Sequence, residues 1–344
     1  MTLKNKFIAA LLLTATATVS ADVVNNGLMH YATGNLASAA REFRVSAEKG
    51  DSVAQAKLGQ MYLLGDGVPQ DDAKAFEWIQ KSALQGNPDA EYVLGYMYFN
   101  GRGVPRDDKE AASWYGKAAA MNDAEAEFNL GLMYLEGRGV PQDSVQAASL
   151  FRKAADQGDM QAQYALGVLY SDGNGVRQDD KAAVALFEQA AKQGNPSAEF
   201  RLGMMHDLGR GVPQDGPAAI AWYQKAADHG DPAALYVLGT LYEDGRGVAK
   251  DEKKALDWYQ KAARCGDADG ERSLAEMYFT GSGVSMNDRE ALTWYRRAAE
   301  QGDTDAQLNL AAMYDLGLGG VKNSKEAEVW YLRARESERL AASF

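Results

Sequence analysis

One unit of sequence recurs every 36 residues along most of the chain, and this repetition constrains the fold more than any other feature. Residues 90–123 read AEYVLGYMYFNGRGVPRDDKEAASWYGKAAAMND, and residues 126–159 read AEFNLGLMYLEGRGVPQDSVQAASLFRKAADQGD. A Leu-Gly pair marks the register at Leu58-Gly59, Leu94-Gly95, Leu130-Gly131, Leu166-Gly167, Leu202-Gly203 and Leu238-Gly239; Leu274-Ala275 and Leu310-Ala311 complete eight copies. Self-similarity at this period predicts stacked helical hairpins sharing one continuous core, without a domain boundary inside the array.

The copies align with one another, and that separates architecture from function. A column constant in every copy serves folding and stacking, while a varying column is available for recognition. All six tryptophans, Trp78, Trp114, Trp222, Trp258, Trp294 and Trp330, fall in one column, with Leu150 and Leu186 in the other two copies. The next column holds Ile79, Tyr115, Phe151, Phe187, Tyr223, Tyr259, Tyr295 and Tyr331. Both read as core. Removing such an aromatic costs about 3–5 kcal/mol.

Glycines punctuate each unit. Gly101-Arg102-Gly103 and its equivalents resemble a phosphate-binding loop, but the stretch joins helix to helix and repeats eight times, so it reads as a tight positive-φ turn. Asp71, Asp107, Asp143, Asp179, Asp215 and Asp251 follow, placed to cap a second helix. A second glycine column, from Gly50 to Gly302, ends that helix, with Asn122 as its single substitution. Each unit is therefore helix A of about twelve residues, a glycine loop, and helix B of about fifteen. Upstream, Tyr31 to Gly50 aligns with a helix B, Phe43 matching Ile79; a shorter helix and a Thr33-Gly34-Asn35 turn precede it.

The pattern Ala-x-x-x-Leu-Gly-x-x-Tyr-x-x-Gly-x-Gly-Val, then Asp, then Lys-Ala-x-x-Trp-Tyr-x-Lys-Ala-Ala-x-x-Gly-Asp, resembles the Sel1-like repeat, a relative of the tetratricopeptide repeat. The resemblance extends from Tyr31 to Arg335. It implies an all-α fold, a curved right-handed α/α superhelical solenoid with a concave surface lined by helix A. The organisation expected for the chain is a signal peptide at 1–21, a tetratricopeptide-like N-terminal capping hairpin at 22–53, eight repeats at 54–335 and a C-terminal cap at 336–344. Exported bacterial members resembling this chain are adaptors, inhibitors of envelope sensors, host-protein binders or immunity proteins against antibacterial toxins. A cysteine-rich branch is associated with β-lactam hydrolysis; this chain departs from it, since Cys265 is its only cysteine.

Composition narrows the compartment and the partners. Lys4 and Lys6 precede an apolar run from Phe7 to Leu13, and small residues end the stretch at Val19-Ser20-Ala21, the outline of a secretory signal peptide cut after Ala21. With 36 basic and 48 acidic residues the formal charge is −12, and removing the two leader lysines makes it −14. Such a surface repels nucleic acid and anionic lipid and attracts a basic protein. A soluble periplasmic protein is the expectation, with no stable membrane insertion.

Little in the sequence points to chemistry. His30, His206 and His229 are far apart in repeat space, and no metal-ligand, nucleophile-elbow or calcium-loop spacing occurs. The expectation is no enzyme, no catalytic residue, no metal and no cofactor. His206 stands in a tyrosine column and reads as a core substitution.

Helix geometry offers a binding face instead. With Ala90, Leu94, Met97 and Tyr98 on one side of helix A, the other side receives Tyr92, Tyr96 and Phe99. Tyr92, Phe128, Tyr164, Phe200 and Tyr236 form a near-constant column that neighbouring repeats should cover. The varying positions Tyr96, Phe99, Leu132, Leu135, Val168 and Met204 form the candidate concave surface, grading into Asp207, Glu243, Asp244, Glu276 and Asp315. The partner this suggests is another protein, such as a secreted toxin with an apolar or basic surface. The specific expectation is an immunity protein against a type VI secreted phospholipase, with an envelope regulator or assembly scaffold as the alternative.

The leader predicts mature protein that begins at Asp22 and appears in osmotic-shock fluid. N-terminal sequencing checks it, and stable cytoplasmic protein starting at Met1 would contradict it.

Overall fold

The computed structural model describes residues 19–341, with side chains from 23 to 339. All its elements are helices, and they fall into two compact units, one reaching Gln178 and the other starting at Asp179. The first contains α1 (Val19–Ala32), α2 (Leu36–Glu48), α3 (Ser52–Leu64), α4 (Asp72–Ala83), α5 (Pro88–Asn100), α6 (Asp108–Ala120), α7 (Ala124–Glu136), α8 (Ser144–Asp156) and α9 (Met160–Asp172). The second contains α10 (Asp180–Lys192), α11 (Pro196–Leu208), α12 (Gly216–Asp228), α13 (Pro232–Asp244), α14 (Glu252–Arg264), α15 (Ala268–Thr280), α16 (Asp288–Glu300), α17 (Thr304–Leu316) and α18 (Ser324–Ala341). The boundary between the units falls in the loop of the fourth copy. The leader at 1–18 lies outside the described residues.

Within each unit, consecutive helices pack against one another as hairpins. The glycine of the Leu-Gly pair makes that packing possible. A Cβ added at Gly95 would stand 2.8 Å from Cδ1 of Tyr115, and one at Gly131 would stand 2.6 Å from Cε1 of Phe151. Gly203 and Gly239 meet Tyr223 and Tyr259 in the same way, at 2.6 and 2.4 Å. The helix B ring therefore lies on bare helix A backbone, and small residues such as Ala90, Ala111 and Ala118 let the helices approach on either side, each fully buried. Gly27 meets Phe43 at 2.7 Å, so the hairpin of α1 and α2 uses the same contact although its turn is shorter. In the last two copies alanine replaces the glycine; Tyr295 stays buried, while Tyr331 is exposed.

Helix ends follow from the loops. Gly101 ends α5 in the left-handed region at φ 67°, and Gly103 follows at φ 70°. Asp107 then caps α6, its carboxylate accepting from the Lys109 and Glu110 N–H groups. Asp71, Asp143, Asp179, Asp215 and Asp251 cap their helices similarly, with Asn287 and Asn323 in the last two copies. Helix B of the repeats is shorter than the spacing predicted, 12 or 13 residues in α4 to α16. The chain must leave the helix before the left-handed glycine or, once, Asn122 at φ 65°, so that the next residue can cap the following helix A. Those caps are Asp51, Asn87, Asp123, Asp159, Asn195, Asp231, Asp267 and Asp303.

Loops also lock each repeat to the one before it. A Cβ at Gly103 would lie 2.0 Å from the Asp72 carbonyl oxygen, and Gly139 crowds Asp108 at 2.1 Å. Arg102 reaches back over this contact, donating to both Asp72 carboxylate oxygens at 3.0 and 2.6 Å and to the Leu63 carbonyl at 3.2 Å. Arg138 grips Asp108, and Arg210 grips Asp180, in the same way.

Gly86 and Gly103 are both left-handed, at φ 78° and 70°, but nothing lies within 4 Å of a Cβ at Gly86. Gly86→Ala should therefore cost about 1–2 kcal/mol, the left-handed penalty alone. Gly103→Ala should cost distinctly more, because backbone must also move. Chemical denaturation of the two variants measures the difference, and equal losses would contradict this account of the loop.

Candidate functional site

In the first unit, the outer side of helix A carries Tyr96 and Phe99 on α5, Leu132 and Leu135 on α7, and Val168 on α9, all half-buried. In the second unit Met204 and Asp207 on α11, Glu243 on α13 and Asp315 on α17 are half-buried, while Asp244 and Glu276 are exposed. Of the near-constant neighbouring column only Tyr92 is buried, whereas Phe128, Tyr164, Phe200 and Tyr236 are half-buried like the stripe. Tyr92 and Phe128 pack on the buried Tyr115 and Phe151 at 5.7 and 5.6 Å between centroids; Phe200 and Tyr236 pack on Tyr223 and Tyr259 at 5.4 and 5.9 Å.

Phe99 is held on both sides. Its ring lies 6.4 Å from that of Tyr115, and the Arg138 guanidinium stacks over it at 4.1 Å. Arg138 is itself oriented by Asp108, whose carboxyl is held down at about 2 by hydrogen bonds from Arg106 and Arg138. Tyr96, Leu132 and Val168 thus remain the part of the stripe most available to a partner.

Tyrosines of the helix B column lie beneath several of these acids, although Tyr115 lies beneath the apolar Tyr96 and Phe99. Tyr223, Tyr259 and Tyr295 bring phenol groups towards the helix A face, whereas the third copy has Phe151 under Leu132 and Leu135. Burial pushes all three phenols well above their ordinary range, and the charges of Asp207, Glu243 and Glu276 add to it. Tyr259 donates to Glu243 Oε2 at 2.6 Å. Asp207 also faces Arg246 at 3.4 Å, because Gly216 stands where the arginine's usual carboxylate would be. Asp315 accepts from Ser324 at 2.9 Å. These acids therefore serve packing in part, leaving Asp244 and Glu276 as the exposed ones.

No group of three metal-ligating side chains occurs among the described residues. His229 pairs with buried Glu199 at 2.7 Å, and His206 is half-buried in the tyrosine column with Nδ1 lacking a partner. Cys265 is exposed. No described helix is long and apolar enough to cross a membrane.

One column escaped the sequence reading. Gln55, Glu91, Glu127, Gln163, Glu199, Glu271 and Gln307 are buried polar residues at one position of helix A. Their mates 30 residues on are Gln85 for Gln55, Gln157 for Glu127, His229 for Glu199, Gln301 for Glu271 and Ser337 for Gln307. Leu235 falls in the same column, and its counterpart is Cys265. Glu91 breaks the matching, since its counterpart is Met121.

The described structure thus defines an all-α solenoid of helical hairpins presenting a half-exposed face of helix A. A family model for the Sel1 repeat matches residues 52–87, 88–123, 124–159, 161–195, 196–231, 232–267, 268–303 and 304–337, and the chain belongs to that family. Sel1 repeat proteins are protein-binding scaffolds and generally non-catalytic. Among solved structures, a protective antigen of uropathogenic Escherichia coli strains with this repeat fold is 32% identical, at a TM-score of 0.75, over 95% of this chain and 79% of that one. A Sel1 repeat protein from Oxalobacter formigenes is 30% identical, at a TM-score of 0.73, over 97% and 96% of the two chains. Comparison with curated proteins finds no match.

The acids should separate by mutation. Glu243→Ala removes the acceptor of a buried phenol and should destabilise the protein by about 1–2 kcal/mol. Glu276→Ala, at an exposed position, should change stability by less than about 0.5 kcal/mol. Thermal denaturation compares them, and equal effects would remove the distinction drawn here.

Proposed function

We propose that this chain is a non-catalytic binder that sequesters a partner protein on the exposed side of its A helices. The observation that supports it is the varying, half-exposed apolar stripe of Tyr96, Leu132 and Val168, on helices whose constant columns, those of Leu94 and Met97, are buried. Apolar side chains on a face that packing does not require are the material of a protein interface. The finer reading is an immunity protein exported to the periplasm, where it neutralises a phospholipase-type toxin. Such an enzyme needs an exposed apolar surface to meet lipid, and an apolar stripe could cover it. The leader-like N-terminus and the acidic surface fit that compartment and a basic partner.

The test is binding by purified wild type and by the Tyr96→Ala/Leu132→Ala variant to a partner captured from periplasmic extract. Truncating central apolar anchors should cost about 2 kcal/mol or more, roughly thirtyfold in affinity, with helicity and melting temperature nearly unchanged. Unchanged affinity in the folded variant would remove the stripe as the site. A captured toxic lipase supports the immunity reading, and a sensor ectodomain replaces it with the regulator reading.

A further inference from the structure

At the junction between consecutive repeats, the buried Gln/Glu column of helix A faces the C-terminal carbonyls of the preceding helix B. Where the residue is glutamine, its amide donates to a main-chain carbonyl eight residues earlier. Gln55 donates to Ala47 at 3.1 Å, Gln163 to Ala155 at 3.4 Å and Gln307 to Ala299 at 3.1 Å. Each of those carbonyls already accepts one backbone N–H, from Gly50, Gly158 and Gly302, so the side chain fills the second lone pair.

In four copies a glutamate occupies the same place, at Glu91, Glu127, Glu199 and Glu271. Glu91 is 6% exposed and Glu127 is 1% exposed. The equivalent carbonyls, eight residues earlier, belong to Ala83 and Ala119, and each again accepts only a backbone N–H, from Gly86 and Asn122. Gln157 donates to Glu127 Oε2 at 2.8 Å, as Gln85 donates to Gln55. That leaves Glu127 Oε1 in the position of the glutamine NH2, buried and without a hydrogen-bond partner, as is Glu91 Oε2. An ionised carboxylate there would oppose an acceptor to an acceptor. The other two acids of the column differ, since Glu271 has Arg297 at 2.7 Å, and Glu199 has His229 at 2.7 Å and Lys225 at 3.9 Å.

We propose that Glu91 and Glu127 are held in the folded protein as neutral carboxylic acids, each donating its O–H to the main-chain carbonyl of Ala83 or Ala119, which makes these two junctions pH-sensitive. Burial raises the proton affinity of both carboxyls. The charges facing them pull in both directions: Lys117 on α6 favours ionisation of Glu91, and Lys153 on α8 favours that of Glu127, whereas Asp123 opposes it. The Gln157 hydrogen bond also favours the ionised form of Glu127. A carboxyl whose proton affinity is higher folded than unfolded contributes its stability fully below the ordinary glutamate range. That contribution is lost as pH rises through the folded-state pKa.

The experiment is the melting temperature of the full chain between pH 4.5 and 9, for wild type and for Glu91→Gln/Glu127→Gln. Glutamine supplies the donor permanently. The two proteins should melt together at acid pH, and the variant should gain about 2–4 °C or more over wild type as pH rises. A difference that does not change with pH, or that favours wild type at high pH, would overturn the proposal. Should the variant not fold, 13C titration of the glutamate carboxyls in wild type decides. Resonances assigned to Glu91 and Glu127 that titrate above the ordinary range support it, and ordinary titration of both overturns it.

Discussion

An aromatic ring of helix B resting on the bare backbone of helix A is the contact on which each hairpin depends. It demands glycine beneath the ring, as Gly95 lies beneath Tyr115, and it sets how closely the two helices approach. Close approach leaves room between them only for alanine, which explains the fully buried alanines of both helices. It also brings each loop against the start of the preceding helix B, where Gly103 and Arg102 meet Asp72. The hairpin of α1 and α2 lacks the Gly-x-Gly loop yet keeps the contact between Gly27 and Phe43. The ring on the glycine is thus more fundamental to the hairpin than the loop.

The same contact governs what helix A can offer to a partner. A phenylalanine in the ring column asks nothing of the surface above it, and Leu132 and Leu135 stand over Phe151. A tyrosine brings a buried hydroxyl that needs an acceptor, and Glu243 supplies one to Tyr259. Glu243 thus answers to the ring beneath it, whereas Tyr96 and Phe99 stand over Tyr115 without an acid, and Tyr96 meets Arg102 instead. Leu132 and Val168 are set apart because no such requirement accounts for them.

Much of the fold was legible in the sequence because eight copies display their own constraints. The left-handed residue at Asn122, the capping by Asp107 and the burial of Tyr115 all followed from columns. The length of helix B did not, because the capping of the next helix by residues such as Asp123 competes with its continuation. At the candidate site, the division of Tyr92 from Tyr96 was legible from constancy. The engagement of Glu243 by Tyr259 was not, since it joins two columns 16 residues apart in sequence. The buried Glu/Gln column was hidden for a related reason. Its meaning lies in a pairing 30 residues away, and the residues alone look like ordinary helix surface.

The central claim is that constant columns build the solenoid and the varying helix A stripe meets the partner. Site-specific photo-crosslinking in living cells tests it most directly, with a photoreactive amino acid placed at position 96 or 132 and, separately, at the exposed helix B positions 109 and 146. The account predicts one discrete adduct, of the same mass, from the stripe positions and none from helix B. Adducts formed equally from both faces, or from helix B alone, would contradict it.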